Sequence, residues 1–232
     1  MLSPNSKLLI LVRHPESVKN LESRFSTTVG DEALTDRGAA LTADLTEYCG
    51  RILRSLAISS DCCCIACSSS LRTKSAAEVT AAAIGCNIRV DSGLNAISAG
   101  SLAGMREAQA RQFAPGFVDD LELYRAGVCN SYHLTGYGED VQEFERRVKA
   151  SLERLLGTDF KVVVVVGHRS SITASLIFLA RLSLDYPENF YGYIPLDLGH
   201  LSAMFIDSDD ITWVGVNLSA EELDCRLGPR RL

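Results

Sequence analysis

Long hydrophobic runs are missing from this chain. Its longest aliphatic stretches, residues 8–12 and 162–166, hold five residues each, whereas a helix needs roughly 20 to cross a bilayer, so no membrane partner is expected. Positive charge is also short: 23 Lys and Arg against 29 Asp and Glu leave a formal net charge of −6. That balance argues against nucleic acid as a partner, yet leaves room for a local cationic pocket that takes a small anion. Histidine is rarer still, with 4 in 232 residues. No second Cys or His pair stands at metal-ligand spacing, so neither a metal nor a cofactor is expected. The N-terminus offers one Lys and an apolar run already used by the first strand, which fits neither a signal nor a transit peptide and predicts a cytoplasmic protein. Repeats and low-complexity tracts are absent, and no pattern specifies an oligomer.

Cysteine is the residue in excess. Four of the 8 fall in one strand-like run, Cys62, Cys63, Cys64 and Cys67, which contains a Cys-x-x-Cys. Alternation along a strand turns adjacent cysteines to opposite faces, so they read as buried, reduced thiols that act as small hydrophobes. The rest of the composition, 47% hydrophobic and 22% charged, is that of a globular protein with a substantial core.

The run Leu8-Leu9-Ile10-Leu11-Val12 reads as a strand covered on both faces, as in a parallel sheet. It ends abruptly in Arg13 and His14. Pro15 cannot donate to a sheet ladder and holds His14 extended, which sets the imidazole at a loop edge on the strand's carboxyl end, where α/β sheets bind ligands. Ser17 caps a short helix through Asn20. A long helix with Thr35 as its cap follows, carried by Leu41, Leu45, Tyr48, Ile52 and Leu56. A strand over 62–67 leads to a helix over 72–85 that Gly85 stops, and a third strand spans 87–90. This alternation predicts right-handed crossovers.

Between 94 and 137 the alternation breaks into glycine-punctuated, aromatic segments with one helical piece at 105–113, the pattern of a cap over a site. An amphipathic helix then carries Val141, Phe144, Val148, Leu152 and Leu155. The opening pattern recurs in the strand 162–166, which ends in Gly167-His168-Arg169-Ser170, followed by a helix through Ile172, Leu176 and Leu179. Strands at 201–206 and 211–216 read as a hairpin. The whole is expected to be one α/β domain over 1–232, with a mainly parallel central sheet flanked by helices and a helical and loop cap insertion over about 94–137. Two strands end in a histidine beside an arginine, and a third ends just before Arg72.

In order along the chain, Arg13-His14-Pro15-Glu16-Ser17-Val18-Lys19-Asn20, Leu34-Thr35-Asp36-Arg37-Gly38, Ser68 to Arg72, Gly138-Glu139-Asp140 with Arg147-Val148, and Val166-Gly167-His168-Arg169 resemble the motifs of the histidine phosphatase superfamily, the phosphoglycerate-mutase-like proteins. The resemblance implies a phosphatase that needs no metal. His14 would attack phosphorus to give a phosphohistidine that water hydrolyses, with Arg13, Arg72 and His168 around the phosphoryl oxygens. Asn20, Ser17, Arg169 and Glu139 complete the expected phosphate and substrate contacts, and the partner is a small phosphorylated metabolite.

Two departures stand out. The family's proton donor, a Glu in a Leu-x-Glu segment, is Ala96 here, and the Asp that another branch places after the second histidine is Arg169. A general acid contributes roughly 10²–10⁴-fold, so three outcomes are open: another carboxylate replaces it, Glu16 first and Glu139 second; the leaving group is intrinsically good, such as a phosphate, phosphoimidazole or acyl group; or turnover is lost. Pro15 stands where the family has a Gly whose N–H can approach phosphate. The alternatives are a catalytically weakened relative that binds a phosphorylated ligand or a protein, and a phosphomutase, for which the tail 218–232 reads as too short to close the pocket.

Overall fold

The two aliphatic runs lie side by side at the centre of one sheet. The computed structural model describes residues 6–25, 33–131, 138–207 and 210–227. Strand β1 (Ser6–Arg13) leads through the short helix α1 (Val18–Leu21) to α2 (Asp36–Ser55); β2 (Cys63–Cys67), α3 (Leu71–Ile84) and β3 (Asn87–Val90) follow. Helices α4 (Glu107–Phe113) and α5 (Pro115–Arg125) lie within the insertion, and α6 (Val141–Leu156), β4 (Val162–Gly167) and α7 (Arg169–Ser183) restore the alternation. The hairpin of β5 (Leu201–Asp207) and β6 (Asp210–Leu218) and the helix α8 (Ala220–Leu227) come last among the described residues.

The strands form one mixed sheet in the order β3-β2-β4-β1-β5-β6. The first four are mutually parallel, whereas β5 runs antiparallel to β1 and β6 antiparallel to β5. This is the mainly parallel α/β architecture that the sequence predicts. Successive strand residues face opposite ways, so each central strand feeds two cores. Leu8, Ile10 and Val12 join Ile65 and Val164 beneath α2, α3 and α8, while Leu9, Leu11, Val163 and Val165 pack beneath α6 and α7. Covering both faces is what lets the central strands be aliphatic without interruption.

Three local features differ from expectation. The helical piece read at 105–113 is α4, and a second helix follows it, because Pro115 occupies the first position of a new helix and Ala114 before it has a non-helical φ of −141°. Cys62 is exposed at the end of a 3-10 turn rather than in β2, while Cys63, Cys64 and Cys67 are buried. Helix α8, unread in the sequence, buries Leu223 and Leu227 in the core beside α2 and α3. Part of the cap (132–137), the hairpin turn (208–209) and the tail (228–232) lie outside the described residues. Among the described residues no helix is long and apolar enough to cross a membrane.

Candidate active site

Parallel pairing of β1, β4 and β2 fixes the height at which their ends deliver side chains. Arg13 pairs with Gly167, and Cys67 pairs with Val166. One residue further on, the backbone N–H of His14 donates to the Gly167 carbonyl at 2.8 Å and that of Ser68 to the Val166 carbonyl at 3.4 Å. His14, Ser68 and His168 therefore meet at one sheet edge, joined by Arg72 from the first turn of α3. His14, His168 and Arg72 are 4%, 3% and 1% exposed, so their contacts act with little screening by water.

His14 is held in one tautomer. Its Nδ1 lies 2.8 Å from the Pro15 carbonyl oxygen, which can only accept, so Nδ1 carries the proton and Nε2 keeps its lone pair. That lone pair accepts from Arg72 Nε at 3.3 Å. Burial, then the charge of Arg72, push the His14 pKa well below the ordinary histidine value, which leaves the ring neutral and nucleophilic at neutral pH. Pro15, read as a departure, here supplies the carbonyl that orients the nucleophile.

His168 has the opposite tautomer. Arg72 Nη2 donates to its Nδ1 at 3.0 Å, and its Nε2 lies 2.8 Å from Ser68 Oγ. Ser68 Oγ is 2.7 Å from Thr73 Oγ1, which donates to the Ser70 carbonyl at 2.8 Å. A proton chain from the imidazole to the N-terminus of α3 thus locks the ring. Burial and Arg72 hold the His168 pKa well below its ordinary value too. The two rings meet edge to face, with centroids 5.3 Å apart, and one guanidinium bridges them.

Arg13 donates through Nη1 to the Leu196 carbonyl, and its Nε is buried without a partner among the described residues. A buried, unmatched N–H on a cation calls for an anion. Burial and the neighbouring Arg169 push the Arg13 pKa down to about 10, so it stays charged at neutral pH. Ser17 serves by aiming Asn20: its backbone N–H and its hydroxyl both donate to Asn20 Oδ1, at 3.0 and 2.8 Å. With its oxygen tied back, the Asn20 amide nitrogen has no partner among the described residues. Asn20 lines the cavity; Ser17 is fully buried behind it.

The sheet edge opens into a cavity of about 480 Å³ roofed by the insertion, with Phe117, Leu121 and Tyr124 of α5 facing His14 and His168 across it. Arg169 lies in this cavity, as expected. Its Nη1 donates to the Tyr193 hydroxyl at 3.0 Å, with its guanidinium 5.3 Å from the centre of the same ring. Tyr193 stacks edge-on against Tyr124 at 5.5 Å.

Neither expected proton donor is free for that task. Glu16 does not line the cavity: Oε1 accepts from Thr35 Oγ1 at 2.8 Å and Oε2 pairs with Arg37 at 3.4 Å. It ties the loop after β1 to the start of α2, which presses so closely on the Glu16 carbonyl that a Cβ on Gly38 would stand 2.0 Å from its oxygen. Glu139 does line the cavity, but Arg147 grips its two oxygens through Nε and Nη2 at 2.6 and 2.7 Å. Arg147 also donates to the carbonyls of Gly93, Asn95 and Ala96, so the pair clamps the loop that carries Ala96. Both glutamates are positioning residues by geometry.

Tyr193 was missed in the sequence, and Asp140 was read there as part of a motif but not as a cavity residue. Tyr193 sits in the irregular stretch between α7 and β5, which has no periodicity; its one signal is the aromatic density of Phe190-Tyr191-Gly192-Tyr193. Asp140 lines the cavity while its Oδ1 caps α6 by accepting from the N–H groups of Gln142 and Glu143.

A family model described as the histidine phosphatase superfamily (branch 1) matches residues 9–219. No curated protein matches the sequence. Among solved structures, a mycobacterial glucosyl-3-phosphoglycerate phosphatase is similar with a TM-score of 0.71 at 21% identity, covering 92% of this chain and 100% of that one. The α-ribazole phosphatase of Shigella flexneri is similar with a TM-score of 0.68 at 22% identity, over 90% and 96% of the two chains. A mycobacterial hydrolase reaches 0.72 at 20% identity, over 92% and 99%. Likeness at these identities is likeness of fold.

Proposed function

The chain belongs to branch 1 of the histidine phosphatase superfamily, and from that premise we propose that it hydrolyses a small phosphorylated metabolite through a phosphohistidine at His14. One observation carries this reading: a neutral, buried imidazole whose Nε2 lone pair is fixed by the Pro15 carbonyl and faces Arg72.

A phosphoryl group entering between His14 and Arg72 would take the hydrogen bond that Arg72 Nε now gives Nε2. Arg13 Nε and the Asn20 amide supply further donors, and the N-termini of α3 and α7 add their partial positive charge. His168 accepts from Arg72 through Nδ1, so it aims the guanidinium; the negative charge of the substrate favours its protonation, after which it donates to a phosphoryl oxygen. Nε2 of His14 forms the bond to phosphorus as the ester oxygen leaves, and water then displaces the histidine. The substrate body rests against Phe117, Leu121 and Tyr124 of the cap, which we read as an insertion within one domain. A cavity of about 480 Å³ suits a small molecule.

Turnover of a panel of phosphomonoesters tests the reading. Wild type should release phosphate and His14→Ala should not. A second reading, binding without hydrolysis, is favoured by Ala96 alone. Tight phosphate-ligand binding by both wild type and His14→Ala, with no phosphate released by either, would establish it in place of the first.

A further inference from the structure

Ala96 leaves the leaving group without the expected acid, and among the described residues the carboxylates that line the cavity are engaged elsewhere: Glu139 by Arg147, Asp140 at the cap of α6. On the reading that the chain is a phosphatase, we infer that Tyr193 is the proton donor to the leaving group and that Arg169 activates it.

The geometry has three parts. Tyr193 lines the same cavity as His14 and His168. Its hydroxyl oxygen accepts from Arg169 Nη1 at 3.0 Å and donates to no described residue, so its proton is available. The cation that makes this bond lies one residue after His168 and lines the same cavity as Arg13. The guanidinium bonded to the phenol oxygen is the counter-charge for the phenolate that proton donation leaves.

The step balances as follows. Nε2 of His14 forms a bond to phosphorus, the bond from phosphorus to the ester oxygen breaks, and that oxygen takes the Tyr193 proton, leaving a phenolate beside Arg169. In the second half the phenolate takes a proton from water as the water oxygen bonds to phosphorus and the His14–phosphorus bond breaks, which returns both residues to their starting forms.

Tyr193→Phe removes the hydroxyl and keeps the ring that packs on Tyr124. The measurement is kcat/KM across phosphomonoesters of graded leaving-group basicity. The variant should lose roughly 10²-fold or more on an alkyl phosphate but less than about 10-fold on p-nitrophenyl phosphate, whose leaving group needs little protonation. An equal loss across the series, or none on the alkyl ester, overturns the proposal. Ala96→Glu should raise alkyl phosphate turnover by a larger factor in Tyr193→Phe than in wild type; equal factors in the two backgrounds overturn the proposal. The phosphatase reading fails separately: in that case wild type itself turns over neither ester.

Discussion

Lowering the pH should destabilise the ligand-free protein through its two active-site histidines. Burial and Arg72 hold the pKa values of His14 and His168 well below 6.5 in the native state, whereas in the unfolded chain both return to about 6.5. Below pH 6.5 the unfolded state therefore binds more protons than the native state, and stability falls as pH falls. Each histidine contributes a slope approaching about 1.4 kcal/mol per pH unit, so between pH 7 and 5.5 the pair should cost on the order of 2–3 kcal/mol. Asp and Glu titrate mostly below this window, so the histidines dominate it. Urea denaturation at a series of pH values, in buffer free of phosphate, reads the effect directly. His168→Gln should remove about half of the slope. Stability that stays flat between pH 7 and 5.5, or a slope unchanged in His168→Gln, would refute the assignment of both rings as buried and neutral.

Three substitutions probe the scaffold around the site. Glu16→Gln keeps an acceptor for Thr35 and loses only the contact with Arg37, whose side chain is 73% exposed, so stability should fall by less than about 1 kcal/mol. Its leaving-group dependence should match wild type in steady-state kinetics. Glu139→Gln breaks the two-pronged grip of Arg147 and should cost about 1–2 kcal/mol by chemical denaturation, with a rise in KM as the loop carrying Ala96 and Ser98 loosens. In Gly138→Ala the new Cβ would stand 2.0 Å from the Ser98 carbonyl oxygen; the backbone must shift, with an expected cost of about 1–3 kcal/mol in the same assay.

The strands that matter most were legible because their chemistry changes within one residue. Leu8 to Val12 and the five valines from Val162 each end in charged or ionisable groups, and parallel pairing brings His14 and His168 to one edge. Arg72 followed from the serine-rich turn before α3, whereas Glu139, read as a substrate contact and second-choice donor, is taken up by Arg147. Side-chain direction was not legible. Glu16 is adjacent to the nucleophile region in sequence, yet Thr35 and Arg37 draw its carboxylate to the start of α2. Ser17 looked like a phosphate contact, yet it spends both donors on Asn20. Tyr193 and Leu196 come from a loop whose position is set by tertiary contacts, the hydroxyl bond to Arg169 and the carbonyl bond from Arg13, and no local pattern encodes those. Helices α5 and α8 were missed because each is short and its burial is confined to one to two residues, too few for a periodic signal.

The central claim is that Nε2 of His14 carries the phosphoryl group. Quenched-flow mixing of the protein with an excess of p-nitrophenyl phosphate, followed by digestion in alkali and mass spectrometry, tests it most directly. A phosphoryl group on His14 that forms within the first turnover, is lost in acid and is absent from His14→Ala is the expected result. Steady release of phosphate with His14 never labelled, or with the label on another residue, would contradict it.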